Sequence, residues 1–141
     1  MEADTNVQAQ NKAIVRDRFE KWRSGTGGPF ELLTDDAKWT IVGSSPLSKT
    51  YPNKKAFIDE VISPFNARMA QPLVPTIRGL YADGDTVVIF FDASATPNDG
   101  QPYQNTYTWY FQMKARQVVR AIAFFDTREF DAFWMRVSPR M

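Results

Sequence analysis

Residues 81–111, YADGDTVVIFFDASATPNDGQPYQNTYTWYF, decide how this chain folds. Asp83-Gly84-Asp85 has the chemistry of a tight hairpin turn, and Thr86 to Thr96 then reads as one strand rich in β-branched and aromatic residues. Pro97-Asn98-Asp99-Gly100 is a second turn, and Tyr103 to Met113 is a second strand. Strands of about ten residues exceed the usual five or six. Long antiparallel strands of this kind curve, and a curved sheet has a concave side that other elements can cover.

Working outward, Leu73 to Ala82 reads as the strand before this pair and Val118 to Phe125 as the strand after it, so four strands form a meander. REFDAFWMRV, from Arg128, reads as a short terminal helix. Upstream, Asn11 to Arg23 reads as an amphipathic helix with Ile14, Val15, Phe19 and Trp22 on one face, stopped by SGTGGP. Residues 1–10 read as a disordered lead. Pro29 suits the first turn of a short helix through Leu33, and AKWTIVG alternates as a strand with Trp39 and Ile41 on one face. Asn53 is placed to cap a helix from Lys54 through AFIDEVI, with a break at Ser63-Pro64 and a restart capped by Ser63. Helices first and an antiparallel meander afterwards make an α+β fold. The expected architecture is a cone-shaped, mixed or antiparallel curved sheet covered by N-terminal helices, an α+β barrel formed as one domain over 11–137.

Composition narrows the chemistry. The 141 residues are enough for one real core, and 14% aromatic content supplies ring surface for both a core and a cavity wall. Seventeen Lys+Arg balance 16 Asp+Glu, and a net charge of +1 offers no field for nucleic acid or anionic lipid. The chain has no Cys and no His, which excludes thiolate nucleophiles, Ser-His-Asp triads and His-ligated metals. MEADTNVQAQ is not a signal peptide. No apolar run approaches the roughly 18 residues of a membrane span. A cytoplasmic location is expected. No organic cofactor is expected, because GTGG at 25–28 follows a helix rather than a strand and reads as a terminator, not a phosphate cradle.

Several segments together resemble a known family: KWRSGTG at the end of the first helix, then PFELLTDDAKWTIVGSSP, then the 81–111 stretch, and finally VVRAIAFFDTREFD. In order and spacing, over residues 11–137, they are similar to the SnoaL-like branch of the nuclear transport factor two-like superfamily. That superfamily includes polyketide cyclases and ketosteroid isomerase. The resemblance implies a deep pocket between sheet and helices, a small hydrophobic ligand or substrate, and a homodimer, here expected through the outer sheet face. It also implies that the carboxylate of the FDT pattern, Asp126, removes a proton from carbon next to a carbonyl.

The residues themselves leave alternatives open. Asp126 is either this base, made more basic by desolvation, or the N-cap of the terminal helix, with Glu129 at the capping-box position. Asp92 interrupts VVIFF where Asp is disfavoured. It stands either at the cavity rim or as a surface group paired with Arg78. Alternation puts Asn105, Tyr107, Trp109 and Phe111 on one face. Tyr107 or Asn105 then holds an oxyanion, or the set is a cross-strand aromatic ladder. Trp39 is a pocket wall or a core residue. The candidate ligand-lining set is Trp39, Ile41, Phe57, Phe65, Phe90, Asn105, Trp109 and Phe124, with Asp126, Asp92 and Tyr107 as catalytic candidates. Ketosteroid isomerase, whose Asp base and Tyr donor are a known example of this chemistry, has groups that align with Thr40 and Phe19 here, so that machinery is not expected. Epoxide hydrolases on this fold use an Asp-Arg-Asp set; Asp92 and Asp126 match its carboxylates, while Phe90 stands in the arginine's place. Three functions therefore compete: proton abstraction from a hydrophobic carbonyl compound, non-catalytic binding of an apolar ligand, and water activation by the two aspartates.

Overall fold

The fold was analysed in a computed structural model, which describes residues 2–140. The first helix, α1, runs Glu2–Ser24 and so begins well before Asn11. The polar lead expected to be disordered is helix from Glu2, because up to Ser24 the stretch holds no Gly or Pro and is rich in Ala, Gln, Glu, Lys and Arg, which lose little freedom in a helix. Met1 lies outside the described residues. The helix stops where Gly25 takes φ 79°, a left-handed conformation that glycine adopts without penalty. There Thr26 N donates to Lys21 O at 2.8 Å, satisfying a terminal carbonyl.

A 3₁₀ turn at Pro29–Leu32 leads into β1, Leu33–Ile41. β2 is the short Thr50–Tyr51. α2, Lys54–Phe57, is capped by Asn53, whose side chain accepts from Ala56 N at 2.8 Å. It does not continue as α-helix. Ile58–Ile62 is a π-helical turn in which Ser63 N reaches back to Ile58 O, and α3 is Ser63–Asn66. The break expected at Ser63-Pro64 is therefore a widened turn. Ser63 is helical and caps nothing; Ile62 holds the cap position without a side-chain bond. A wide turn takes up the misfit that Pro64 would otherwise force on a regular helix.

Four long strands follow: β3 Met69–Asp83, β4 Thr86–Pro97, β5 Tyr103–Lys114 and β6 Gln117–Phe125. α4, Thr127–Arg136, closes the chain. One sheet takes the order β2-β1-β6-β5-β4-β3. β1 runs parallel to β6 and every other pair is antiparallel. The sheet curves but does not close: β2 and β3 remain its edges, so the expected barrel is an open one. Register shifts in β3, between Ile77 and Gly79 and nearer its start, mark bulges, which bend a strand and increase its twist.

Alternation sorts the sheet faces. In β4, Val87, Ile89, Phe91 and Ala93 are buried; in β5, Tyr103, Asn105, Tyr107, Trp109, Phe111 and Met113 are. α1 lies against this concave face. Phe19 meets Phe91 at 5.0 Å and Trp109 at 5.9 Å between ring centroids. Arg23 Nη1 ties the helix end to β3 through Pro75 O at 3.0 Å and Thr76 Oγ1 at 2.8 Å. At the other end, the buried Arg68 donates to Val137 O at 2.8 Å and Pro64 O at 2.9 Å, and its guanidinium lies 3.8 Å from the Trp134 ring. This joins α3 to α4 and leaves a hollow between them and the sheet.

Candidate functional site

The hollow between sheet and helices is a cavity of about 520 Å³, within the range of small-molecule sites. Each wall follows from the elements above. The end of α1 and the 3₁₀ turn bring Trp22 and Phe30, and β1 brings Trp39 and Ile41. The α2–α3 segment brings Phe57, Val61 and Phe65. β5 contributes Tyr107 and Trp109, β6 Ala123 and Phe125, and α4 Phe130. The rings support one another in defined geometries. Trp39 stacks on Phe57 at 4.2 Å, crosses Trp109 nearly perpendicularly at 5.0 Å, and Trp22 lies parallel to Trp109 at 5.9 Å. Offset stacks and edge-to-face contacts are the arrangements that ring quadrupoles favour.

Polar groups in this lining are few. Tyr107 is buried, and its hydroxyl lies 2.7 Å from that of Tyr103. Tyr103 Oη accepts from Asn105 Nδ2 at 2.8 Å. The buried Asn105 amide is also a clamp: Nδ2 donates to Asp126 O at 3.0 Å, and Oδ1 accepts from Asp126 N at 3.1 Å and Thr106 N at 2.8 Å. Burial pushes the Tyr103 phenol up to about 12, helped by the charges of Glu129 and Asp126 although its hydrogen bonds pull the other way. Burial raises Tyr107 well above its ordinary value, with Tyr103 adding to the effect. Both hydroxyls are thus neutral donors near pH 7. Trp109 Nε1 is buried with no hydrogen-bond partner among the described residues.

The expected site residues divide. Trp39, Ile41, Phe57, Phe65, Tyr107 and Trp109 meet at the cavity. Asn105 does not line it; it stands behind Tyr107 and Tyr103 as their support. Phe90, Phe124, Asp92 and Asp126 lie elsewhere. Phe90 is on the outer sheet face with the Arg78 guanidinium 4.5 Å above its ring. Phe124 is 46% exposed and packs edge-on to Tyr110 across the outer face. The reason is a one-residue phase. Phe125, not Phe124, pairs with the inward Tyr107, and Phe91, not Phe90, sits opposite that same residue on β4.

The aspartates follow the same logic. Asp92 faces outward, opposite Thr76 and Thr106. It accepts from Thr106 Oγ1 at 2.7 Å and lies 3.6 Å from Arg78 Nη1, half exposed. Asp126 is exposed and caps α4: its Oδ1 accepts from Arg128 N at 3.1 Å and Glu129 N at 3.3 Å. The reciprocal bond expected from Glu129 is replaced, since Asp126 N is taken by Asn105. Both aspartates, with Arg78 and Glu129, border a polar groove of about 620 Å³ on the outer side of the sheet. Neither opens into the aromatic cavity.

Phe125, Tyr103, Trp22, Phe30 and Phe130 are site residues that the sequence reading did not select. Alternation carried the signal for two of them: Phe125 is two positions after the inward Ala123, and Tyr103 two before Asn105. Glu31 was also missed. Among the described residues it is the only charged side chain in the lining. Its Oε1 accepts from Gly28 N at 2.7 Å and its Oε2 is 3.6 Å from Arg18 Nη1.

Known proteins agree with this architecture. Bal32a, from a soil-derived mobile gene cassette, superposes with a TM-score of 0.73 at 19% identity, covering 91% of this chain and 98% of its own. An NTF2-like protein from Burkholderia thailandensis E264 gives 0.70 at 18% identity over 87% and 95% of the two chains. TerC, co-crystallised with polyporic acid, gives 0.70 at 18% identity over 89% and 98%. At such identities the likeness is one of fold. No curated protein sequence matches. No helix among the described residues is long and apolar enough to cross a membrane. The SnoaL-like domain model matches residues 7–121, most of the chain and all of the cavity lining except Ala123, Phe125 and Phe130, and the chain therefore belongs to the SnoaL-like domain family.

Proposed function

We propose that the cavity binds a small, largely apolar carbonyl compound and promotes an isomerase- or cyclase-type rearrangement of it. The observation that carries this reading is Tyr107 in a mostly apolar lining, with its hydroxyl backed by Tyr103 and Asn105. Asn105 donates to Tyr103, and either hydroxyl of the Tyr103–Tyr107 pair can be the donor; when Tyr103 donates, the Tyr107 proton is left for a ligand oxygen. A neutral donor held in a dry site stabilises charge as it develops on a carbonyl oxygen. The rings hold the substrate folded, which lowers the entropic part of the barrier to ring closure. A small molecule in TerC, a neighbour in fold, supports a small-molecule occupant.

Asp126 does not serve as the base in this reading. Its carboxylate is engaged by two backbone N–H groups and lies outside the cavity. Water activation by an aspartate pair loses its support for the same reason, since neither Asp92 nor Asp126 reaches the lining. The test is Tyr107→Phe, read with 2-acetylnaphthalene and a ring hydrocarbon of the same shape by quenching of the cavity tryptophans. The ketone should bind about three- to tenfold more weakly, as for one lost hydrogen bond, and the hydrocarbon equally well. Loss of binding for both, or for neither, refutes the assignment. A substrate whose turnover falls about 100-fold in this variant identifies an enzyme. A ligand that is bound and released unchanged identifies a binding module using the same cavity.

The outer face suggests a homodimer. Tyr110 and Phe124 are 37% and 46% exposed on neighbouring strands, beside the half-buried Val88 and Ile122. A contiguous patch of this kind is stabilised by a second copy across a two-fold axis. Light scattering at micromolar concentration should give twice the 16.1 kDa chain mass. Phe124→Lys should give the monomer.

A further inference from the structure

We infer that the ligand of this cavity carries a positively charged nitrogen, a protonated or quaternary amine, seated beside Trp22, Phe30 and Glu31. The inference rests on the cavity being the binding site, as proposed above, and concerns the class of compound it accepts. Three observations converge at the end formed by α1 and the 3₁₀ turn. Among the described residues the lining contains no Lys or Arg, and its one charged side chain is the Glu31 carboxylate. Trp22 and Phe30 line the same cavity and are half-buried. Trp22 and Phe30 lie 6.3 Å apart between centroids, at 52° to one another, as two walls of one corner.

Ring faces carry negative quadrupole density, and indole carries the most. Paired with a carboxylate, such faces attract a weakly hydrated cation and repel an anion. Nothing cationic in the lining offsets this for an ionised carboxylate or phosphate ligand. Arg18, which does not line the cavity, forms a partly exposed ion pair with Glu31, Nη1 to Oε2 at 3.6 Å, and so offsets part of its charge. Glu31 is exposed, so its charge stands at the mouth of the cavity, where Oε1 accepts from Gly28 N at 2.7 Å.

The test uses three naphthalene probes of one shape: a 2-naphthylmethyl trimethylammonium cation, its neutral tert-butyl isostere, and a naphthyl carboxylate. Binding is read at low ionic strength by tryptophan quenching. The cation should bind about fivefold more tightly than the neutral isostere, and the carboxylate more weakly than both. Glu31→Gln keeps an oxygen for Gly28 N and removes the charge, so the cation's advantage should shrink about threefold while the neutral probe is unchanged. Arg18→Gln should enlarge that advantage. Equal affinity for cation and neutral probe, or an advantage untouched by Glu31→Gln, overturns the inference and leaves the cavity reading intact. Failure of all three probes to bind overturns both.

Discussion

Replacing Asp126 separates a helix cap from a catalytic base. In Asp126→Ala, two N–H groups of the first turn of α4, on Arg128 and Glu129, lose their acceptor. They are exposed and turn to water, so the cost is that of a lost cap, about 1 kcal/mol, rather than that of buried unsatisfied groups. The bonds of 3.1 and 3.3 Å are long, which keeps the estimate from the upper end of the range. α4 stays docked through the buried Phe130 and Phe133. For a chain of this length, about 1 kcal/mol lowers Tm by roughly 3 °C. Asp126→Asn, an equally good cap, should leave Tm within about 1 °C. Both variants should bind 2-acetylnaphthalene as the parent does, because the cavity walls are untouched. Thermal unfolding and tryptophan quenching read both quantities on the same samples. A normal Tm for Asp126→Asn together with a 100-fold loss of turnover on any substrate would refute this reasoning and restore the base.

Two further outcomes follow from the same structure. Burial pushes Tyr103 up to about 12 and raises Tyr107 well above its ordinary value, whereas in the unfolded chain both ionise near 10. The folded state therefore binds more protons above pH 10, so this contribution is complete below pH 10 and is lost as pH rises from about 10 through 12. Urea unfolding at stepped pH should show that fall, and Tyr103→Phe should make it shallower. The β5–β6 hairpin turns on Ala115 at φ 50° and Arg116 at φ 67°, both left-handed without a glycine. Ala115→Asn with Arg116→Gly should relieve strain and stabilise the chain by about 1 kcal/mol, seen as a higher urea midpoint. An unchanged or lower midpoint would show that the turn is not strained.

Much of the site was legible because β5 alternates cleanly. Its inward residues include Tyr107 and Trp109, while its outward ones are mostly Thr and Gln, with Tyr110 and Lys114 as the exceptions, and the structure keeps that division. β4 and β6 were harder. Val88 and Phe90 are as apolar as Val87 and Phe91, and Phe124 is as apolar as Phe125, so hydrophobic periodicity did not say which set faced in. Asp92 was ambiguous for the same reason until its pairing with Thr106 and Arg78 placed it outside. The α1 start and the π turn at Ile58–Ile62 were missed because both depend on the balance of weak local preferences against packing.

The amino-acid sequence alone determined the order of the main elements, the curved antiparallel meander, the Asn53 cap, and an aromatic, His-free and Cys-free chemistry, because each is set by residue type and short-range spacing. Only the tertiary structure decided which ring of each adjacent pair enters the cavity, that Asp92 and Asp126 stay outside it, and that Tyr103 and Asn105 stand behind Tyr107. Those outcomes depend on strand register across the sheet, where a shift of one residue moves a side chain to the opposite face.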